Sequence, residues 1–315
     1  MRHFILLSIL LIYNQSSAAV YPDLANNITT NTQAATNGLT YNEAGVMDSL
    51  IQYGDGNSFE FIVNSNWWFH YAPEKTASSM VKWSGTSIPT NCNSQEDVNL
   101  IAPCYGLTCE HALTGVGTWV GFIDDNGALV ARQVIAATNI VISGQFSDIE
   151  LILLDSDVPS TVHPYKLLPL AVTNYIVNPV TLQAVSKHQD EGWGAGLLTG
   201  DILNTNGGNP FLQVDYSSTN YLGSGWNEAV TGGDSGCPTC ILVGTNLVLM
   251  GHWYSFGPIQ SYVYAEPAIN AMMHYFSTNY NLATDYQIQT IDVSHFQMIN
   301  SNSIPTPPAN LRIEQ

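Results

Sequence analysis

The chain has 315 residues, 45% of them hydrophobic, which is enough to fill one large domain or two packed subdomains sharing a site. Only 10% are charged, and 25 acidic residues against 7 basic ones leave a net charge of −18. That balance excludes nucleic acid and anionic membrane as partners, because both require clustered Lys and Arg.

The chain opens with Met1-Arg2-His3, an apolar run from Phe4 to Tyr13, and then Ser16-Ser17-Ala18-Ala19. A basic start, a short apolar stretch and a small-residue cleavage site predict a secretory signal peptide over residues 1–19. The run is too short to span a bilayer, and no later stretch is long and apolar enough. The expected location is therefore secreted or periplasmic, with no membrane partner. Residues 20–84 read as an N-terminal extension, propeptide-like and carrying the first strands. Within it, residues 20–45 are rich in Asn, Thr and Ala without periodicity, which predicts weak order.

From Ser58 onward the pattern is one of short β-type runs. They lie at Phe59 to Val63, Trp67 to Tyr71, Gly117 to Ile123, Leu129 to Ala136, Ile140 to Ser143 and Ile149 to Leu154. Further runs follow at Ala184 to Ser186, Phe211 to Val214, Ile241 to Val243, Leu247 to His252 and Tyr262 to Ala265. Turn signals such as Asp125-Asn126-Gly127 separate them. Many short strands at this spacing predict an all-β sandwich or barrel. One helix is expected, Pro267 to Phe276, with Ile269, Met272, Met273 and Phe276 recurring at helical spacing as a core-facing stripe. Residues 285–298 carry one more candidate strand, and Ser301 to Pro308 read as a loose tail.

Five cysteines stand at positions 92, 104, 109, 237 and 240. Export permits disulfides, but an odd count leaves at least one thiol over. Cys237-Pro238-Thr239-Cys240 has redox-motif spacing but lacks a thioredoxin-like βαβ setting, and no second ligand pair supports zinc. Local disulfides or buried thiols are expected, with no metal and no cofactor.

The chemistry centres on Thr231-Gly232-Gly233-Asp234-Ser235-Gly236-Cys237-Pro238. A serine hydroxyl needs a base, an orienting acid and oxyanion donors before it attacks a carbonyl. Glycines on both sides let backbone N–H groups approach the reacting atoms. His111, in a small turn after an apolar strand end, is the candidate base, although taken alone it reads better as a structural histidine. Asp148 heads the apolar run Ile149 to Leu154 and is the candidate acid, with Asp155 and Asp157 as competitors.

Together these segments resemble the chymotrypsin/trypsin-like serine peptidases. Tyr105 to Ala112 matches the family's W-V-L-T-A-A-H-C segment at Leu107, Thr108 and His111. Asp148-Ile149-Glu150-Leu151-Ile152 matches D-I-A-L-L, and Gly233 to Pro238 matches G-D-S-G-G-P except at Cys237. Gly192-Trp193-Gly194 looks like the G-W-G that opens the second barrel. Four landmarks in the family's order over about residues 85–278 are far more specific than a lone G-D-S-G.

The resemblance implies two antiparallel six-stranded β-barrels with a C-terminal helix, over residues 85–280, followed by a tail over 281–315. It implies His111 as general base, Asp148 as orienter and Ser235 as nucleophile, with the N–H groups of Gly233 and Ser235 as the oxyanion hole. Glu228, Ala229, Tyr254 and Phe256 fall at the substrate pocket, and His252 to Gly257 along the cleft. The implied partner is a protein or peptide substrate, and the implied state a monomeric secreted zymogen. Ala112 stands where the family has a cysteine, so the usual brace of the histidine loop is absent, and Cys104 and Cys109 are expected to brace it instead. Asp234 is present, yet no family-type activated N-terminus is evident upstream. The alternatives are a non-cleaving binding protein of the same fold and a serine esterase of another fold. The order His, Asp, Ser opposes an α/β-hydrolase.

Overall fold

The structure is a computed structural model describing residues 23–36, 52–53, 59–60, 79–83, 97–112, 115–124, 129–142, 144–187, 193–203, 212–215, 234–254 and 258–299. A short antiparallel pair, β1 (Gln52–Tyr53) and β2 (Phe59–Glu60), precedes the first barrel. That barrel is built from β3 (Ser79–Trp83), β4 (Asp97–Ala102), β5 (Tyr105–Cys109), β6 (Trp119–Ile123), β7 (Leu129–Ile142) and β8 (Gln145–Leu154). Its strands close in the order β3-β4-β5-β8-β7-β6.

The second barrel uses β10 (Val180–Lys187), β11 (Trp193–Gly200), β12 (Leu212–Asp215), β13 (Pro238–Val243), β14 (Asn246–Trp253) and β15 (Pro258–Ser261). They run β13-β10-β11-β12-β15-β14, and the pairing of β13 with β14 closes the ring. β9 (Lys166–Leu167) adds in parallel to the outside of β14. Closure removes the sheet edges of both barrels. The fold is thus all-β with two six-stranded antiparallel barrels and the C-terminal helix α2 (Glu266–Asn279), the architecture that the sequence resemblance implied.

Several barrel strands, among them β4, β5 and β13, are buried along their whole length, and apolar side chains fill both barrels. Val98, Leu107, Phe122 and Leu151 lie in the first core, and Leu182, Leu198, Ile241 and Trp253 in the second. The α2 stripe behaves as read: Ile269, Met273 and Phe276 are buried against the first core, and Met272 packs partly against it.

Several local expectations change. The expected runs Leu129 to Ala136 and Ile140 to Ser143 are joined in one long strand, β7, which spans Leu129–Ile142 with irregularities at Val134/Ala136 and Asn139/Val141; Ser143 lies outside the described residues. Bulges of this kind bend a strand, letting β7 pair with β6 at one end and β8 at the other. Tyr262 to Ala265 does not continue a strand, because the chain leaves β15 at Ser261 and coils through a 3-10 turn into α2. Residues 285–298 form no strand. Their one bridge pairs Thr290 with Leu167, and Ile288, Ile291, Val293 and Phe296 are buried. Trp193 and Gly194 lie on β11, so β10 rather than this landmark opens the second barrel.

The largest departure is α1 (Leu24–Thr36), where weak order was expected. Asp23 Oδ1 accepts the Asn26 backbone N–H at 2.8 Å and caps its first turn. Leu24, Ile28 and Thr32, spaced i, i+4, i+8, are all fully buried, and Leu24 and Ile28 join the second core. The Gly244 N–H donates to Asn27 Oδ1 at 3.1 Å, tying the helix to the β13–β14 turn. Tertiary burial therefore supplies the order that composition does not signal. Ile28→Ala is expected to destabilise the protein by about 2–5 kcal/mol, read as a lower urea midpoint at unchanged slope.

The disulfide expectation is also corrected. Cys104, Cys109, Cys237 and Cys240 are buried and not joined to one another; Cys92 lies outside the described residues. The extended strand β5 separates Cys104 from Cys109 by roughly 16 Å at the usual rise per residue, beyond the reach of a disulfide. Cys237 packs in the second core and Cys240 in the first, on opposite faces of the chain. Burial pushes the Cys104 thiol up to about 12, with Asp157 adding to the effect, and burial raises Cys240 well above its ordinary value. Neither is a nucleophile at neutral pH.

Candidate active site

β5 and β8 pair in a register that sets Cys109 opposite Ile149. The chain leaving β5 enters a 3-10 turn, Glu110–Ala112, carrying His111, and the residue preceding Ile149 is Asp148. One strand pairing therefore brings together two residues 37 positions apart. Asp148 is buried where β8 passes from exposed to buried residues, whereas the His111 side chain is 42% exposed at the rim.

Ser235 arrives from the second barrel. The Cys237 N–H donates to the Asp234 carbonyl at 2.9 Å, making a tight turn with Ser235 and Gly236 at its centre. Gly236 has φ +85°, the conformation that the third residue of a type II turn requires. The turn is laced to the end of β14 by Gly236 N–H to the Trp253 carbonyl at 3.1 Å and Trp253 N–H to the Cys237 carbonyl at 3.0 Å. From the first barrel, Asn99 Nδ2 donates to the Gly236 carbonyl at 2.8 Å. The serine is thus fixed relative to both barrels.

A Cβ on Gly236 would lie 2.6 Å from the Asp97 carbonyl oxygen and 2.9 Å from Thr108 Oγ1, at a φ that L-residues rarely adopt. Gly236→Ala is expected to cost about 1–3 kcal/mol of stability. By moving the serine, it is also expected to cost roughly a hundredfold in rate. A thermal melt and kcat/KM measured on the same preparation check both effects.

The three side chains meet across the crevice. Ser235 Oγ lies 2.8 Å from His111 Nε2, and His111 Nδ1 lies 2.9 Å from both Asp148 oxygens. The His111 backbone N–H also donates to Asp148 Oδ1 at 3.1 Å. Burial by itself raises the Asp148 carboxyl, but hydrogen bonds from His111 and His252, with their attraction, hold it at about 2 against an ordinary 3.8. An ionised carboxylate accepts only, so His111 carries its proton on Nδ1 and leaves Nε2 to accept from Ser235. The arrangement can take a proton from a hydroxyl and stabilise the imidazolium that results.

Asp155, weighed as a competing acid, is exposed on the chain just past β8. The Asp157 carboxylate is occupied by the Tyr286 hydroxyl at 2.6 Å, while His111 faces Asp148. Tyr254 stands edge-on to the His111 ring, with centroids 5.9 Å apart. Gly192, Glu228, Ala229, Gly233 and Phe256 lie outside the described residues. His252, expected along the cleft, is fully buried behind Asp148 instead. Trp253 fills the second core, so the pleat of β14 turns its neighbour His252 the other way, toward the first barrel. Asn99 and Tyr262 were not singled out from the sequence, because each acts through a partner that only the packed barrels supply.

Among the described residues no cluster of His, Cys, Asp and Glu could hold a metal ion, and no helix is long and apolar enough to cross a membrane. No protein-family model matches the chain, and no curated protein matches it. Among solved structures it is similar to kallikrein-related peptidase 10, with 13% identity and a TM-score of 0.39, over 64% of this chain and 94% of that chain. At that TM-score the likeness carries no argument, and both the fold and the chemistry of the site follow from the chain's own strand pairings and distances.

Proposed function

We propose that the chain is a secreted serine endopeptidase working through an acyl-enzyme intermediate. The observation that carries this reading is the continuous chain from Ser235 Oγ through the His111 ring to the buried Asp148, with contacts of 2.8 and 2.9 Å. Ser235 attacks the scissile carbonyl as His111 Nε2 takes its proton, and Asp148 holds the resulting imidazolium. Collapse of the tetrahedral intermediate passes that proton to the leaving amine. Water, activated by the same imidazole, then releases the acyl group. The N–H groups of Ser235 and Gly233 are assigned to the developing oxyanion, and residues 1–19 to export.

The test is labelling of the purified full chain, and of its processed forms, with a fluorophosphonate. Wild type is expected to take the label, with Ser235→Ala and His111→Ala unlabelled. A wild-type protein that resists labelling in every processed form, while remaining folded, is instead a binding protein of the same fold.

A further inference from the structure

Asp148 meets a second imidazole besides that of His111. His252 Nε2 lies 3.4 Å from Asp148 Oδ2, and His252 Nδ1 lies 2.6 Å from the Tyr262 hydroxyl. We infer that His252 is a positioning residue that holds the Asp148 carboxylate from behind, with Tyr262 locking its tautomer. This inference rests on the serine peptidase reading for its catalytic consequence, but not for its geometry.

A neutral imidazole has one donor and one acceptor nitrogen. Asp148, held ionised, only accepts, so the nitrogen facing it must carry the proton. Burial pushes the Tyr262 phenol well above its ordinary value, so it keeps its hydrogen at any working pH and can donate. With a neutral ring, one arrangement gives the carboxylate its donor: Tyr262 O–H donates to His252 Nδ1, and His252 Nε2–H donates to Asp148 Oδ2. The opposite tautomer would set a nitrogen lone pair against a carboxylate oxygen in a fully buried site. The groups facing this pair are Asp148 on β8, His111 beyond it, and Asn99, Cys109 and Cys240 beside Tyr262. The two thiols bring no positive charge.

The effect is to fix the rotation of Asp148. His111 contributes its backbone N–H and its ring to one side of the carboxylate, and His252 takes Oδ2 from the other. The His252 contact is the longest of these, and hydrogen bonds in unliganded sites commonly tighten once substrate is bound. Holding the carboxylate holds the His111 ring, and so the line to Ser235. No proton is transferred to His252 in the cycle.

Three variants of the full-length protein separate positioning from mere packing. His252→Leu fills the space without a donor, His252→Gln restores a donor near the place of Nε2, and Tyr262→Phe removes only the lock. His252→Leu is expected to lower kcat by about a hundredfold with KM little changed, and Tyr262→Phe by about tenfold. His252→Gln is expected to recover to within about threefold of wild type. Should His252→Leu fail to fold, the near-isosteric Tyr262→Phe still carries the comparison.

An arm independent of activity reads the tautomer by long-range ¹H–¹⁵N NMR of the ring. Wild-type His252 is expected to show a protonated Nε2 and an unprotonated Nδ1. In Tyr262→Phe the Nδ1 resonance is expected to shift. A proton on Nδ1 in wild type overturns the inference, as does unchanged kcat in both His252→Leu and Tyr262→Phe. If wild type takes no fluorophosphonate label, the peptidase reading fails, and the NMR arm still decides whether His252 holds Asp148.

Discussion

Ser235→Ala is expected to lower kcat by about a millionfold, and His111→Ala by nearly as much. The double variant is expected to be no worse than either alone. The two residues act as one unit, because a serine without its base is not a nucleophile and a base without the serine has nothing to activate. The 2.8 Å contact between Ser235 Oγ and His111 Nε2 is the physical basis of that coupling. Hydrolysis of a quenched fluorescent protein substrate, followed under single-turnover conditions, measures it. Losses that multiply in the double variant, or a Ser235→Ala protein of near-normal activity, would show that the chemistry does not pass through this pair.

Asp148→Asn is expected to reduce kcat by about ten-thousandfold while leaving the fold intact. The asparagine amide cannot accept from both the His111 ring and the donors around it, so the imidazole is held in the wrong tautomer. The same substitution has a stability signature. Asp148 titrates at about 2 in the folded protein and at its ordinary 3.8 when unfolded, so its native contacts favour the ionised form. Its contribution, roughly 2 kcal/mol, is full above the unfolded value and is lost as pH falls toward the folded one. Urea denaturation of wild type and Asp148→Asn between pH 2 and 6 is therefore expected to show a gap that narrows on acidification. A gap independent of pH would mean that the carboxylate is not held ionised by its two imidazoles.

Much of the architecture was legible because the relevant signals are local. Short β-type runs between turn signals specified an all-β sandwich or barrel, and the apolar spacing from Ile269 to Phe276 specified α2. Asp148 was readable from its place at the head of a buried run, whereas His111, after a strand end, stood out only in company with the Asp148 and Ser235 segments. What was missed depended on partners distant in sequence. α1 carries no charged residue and only two large apolar residues in its span, and it is ordered because Leu24 and Ile28 find the second core. The cysteine spacings invited local bridges, but extended strands hold those residues apart or turn them to opposite faces.

Residue types and their order sufficed to point to short strands, one helix and three candidate site residues, because turn chemistry and helical spacing are written over a few neighbouring positions, while the two-barrel frame was implied by the resemblance of whole motifs. Packing was needed to bring Asn99 to the Gly236 carbonyl, α1 to the second barrel, and His252 with Tyr262 to the far side of Asp148. Those contacts join segments separated by whole barrels, and their geometry exists only once strand register and closure have set which faces meet.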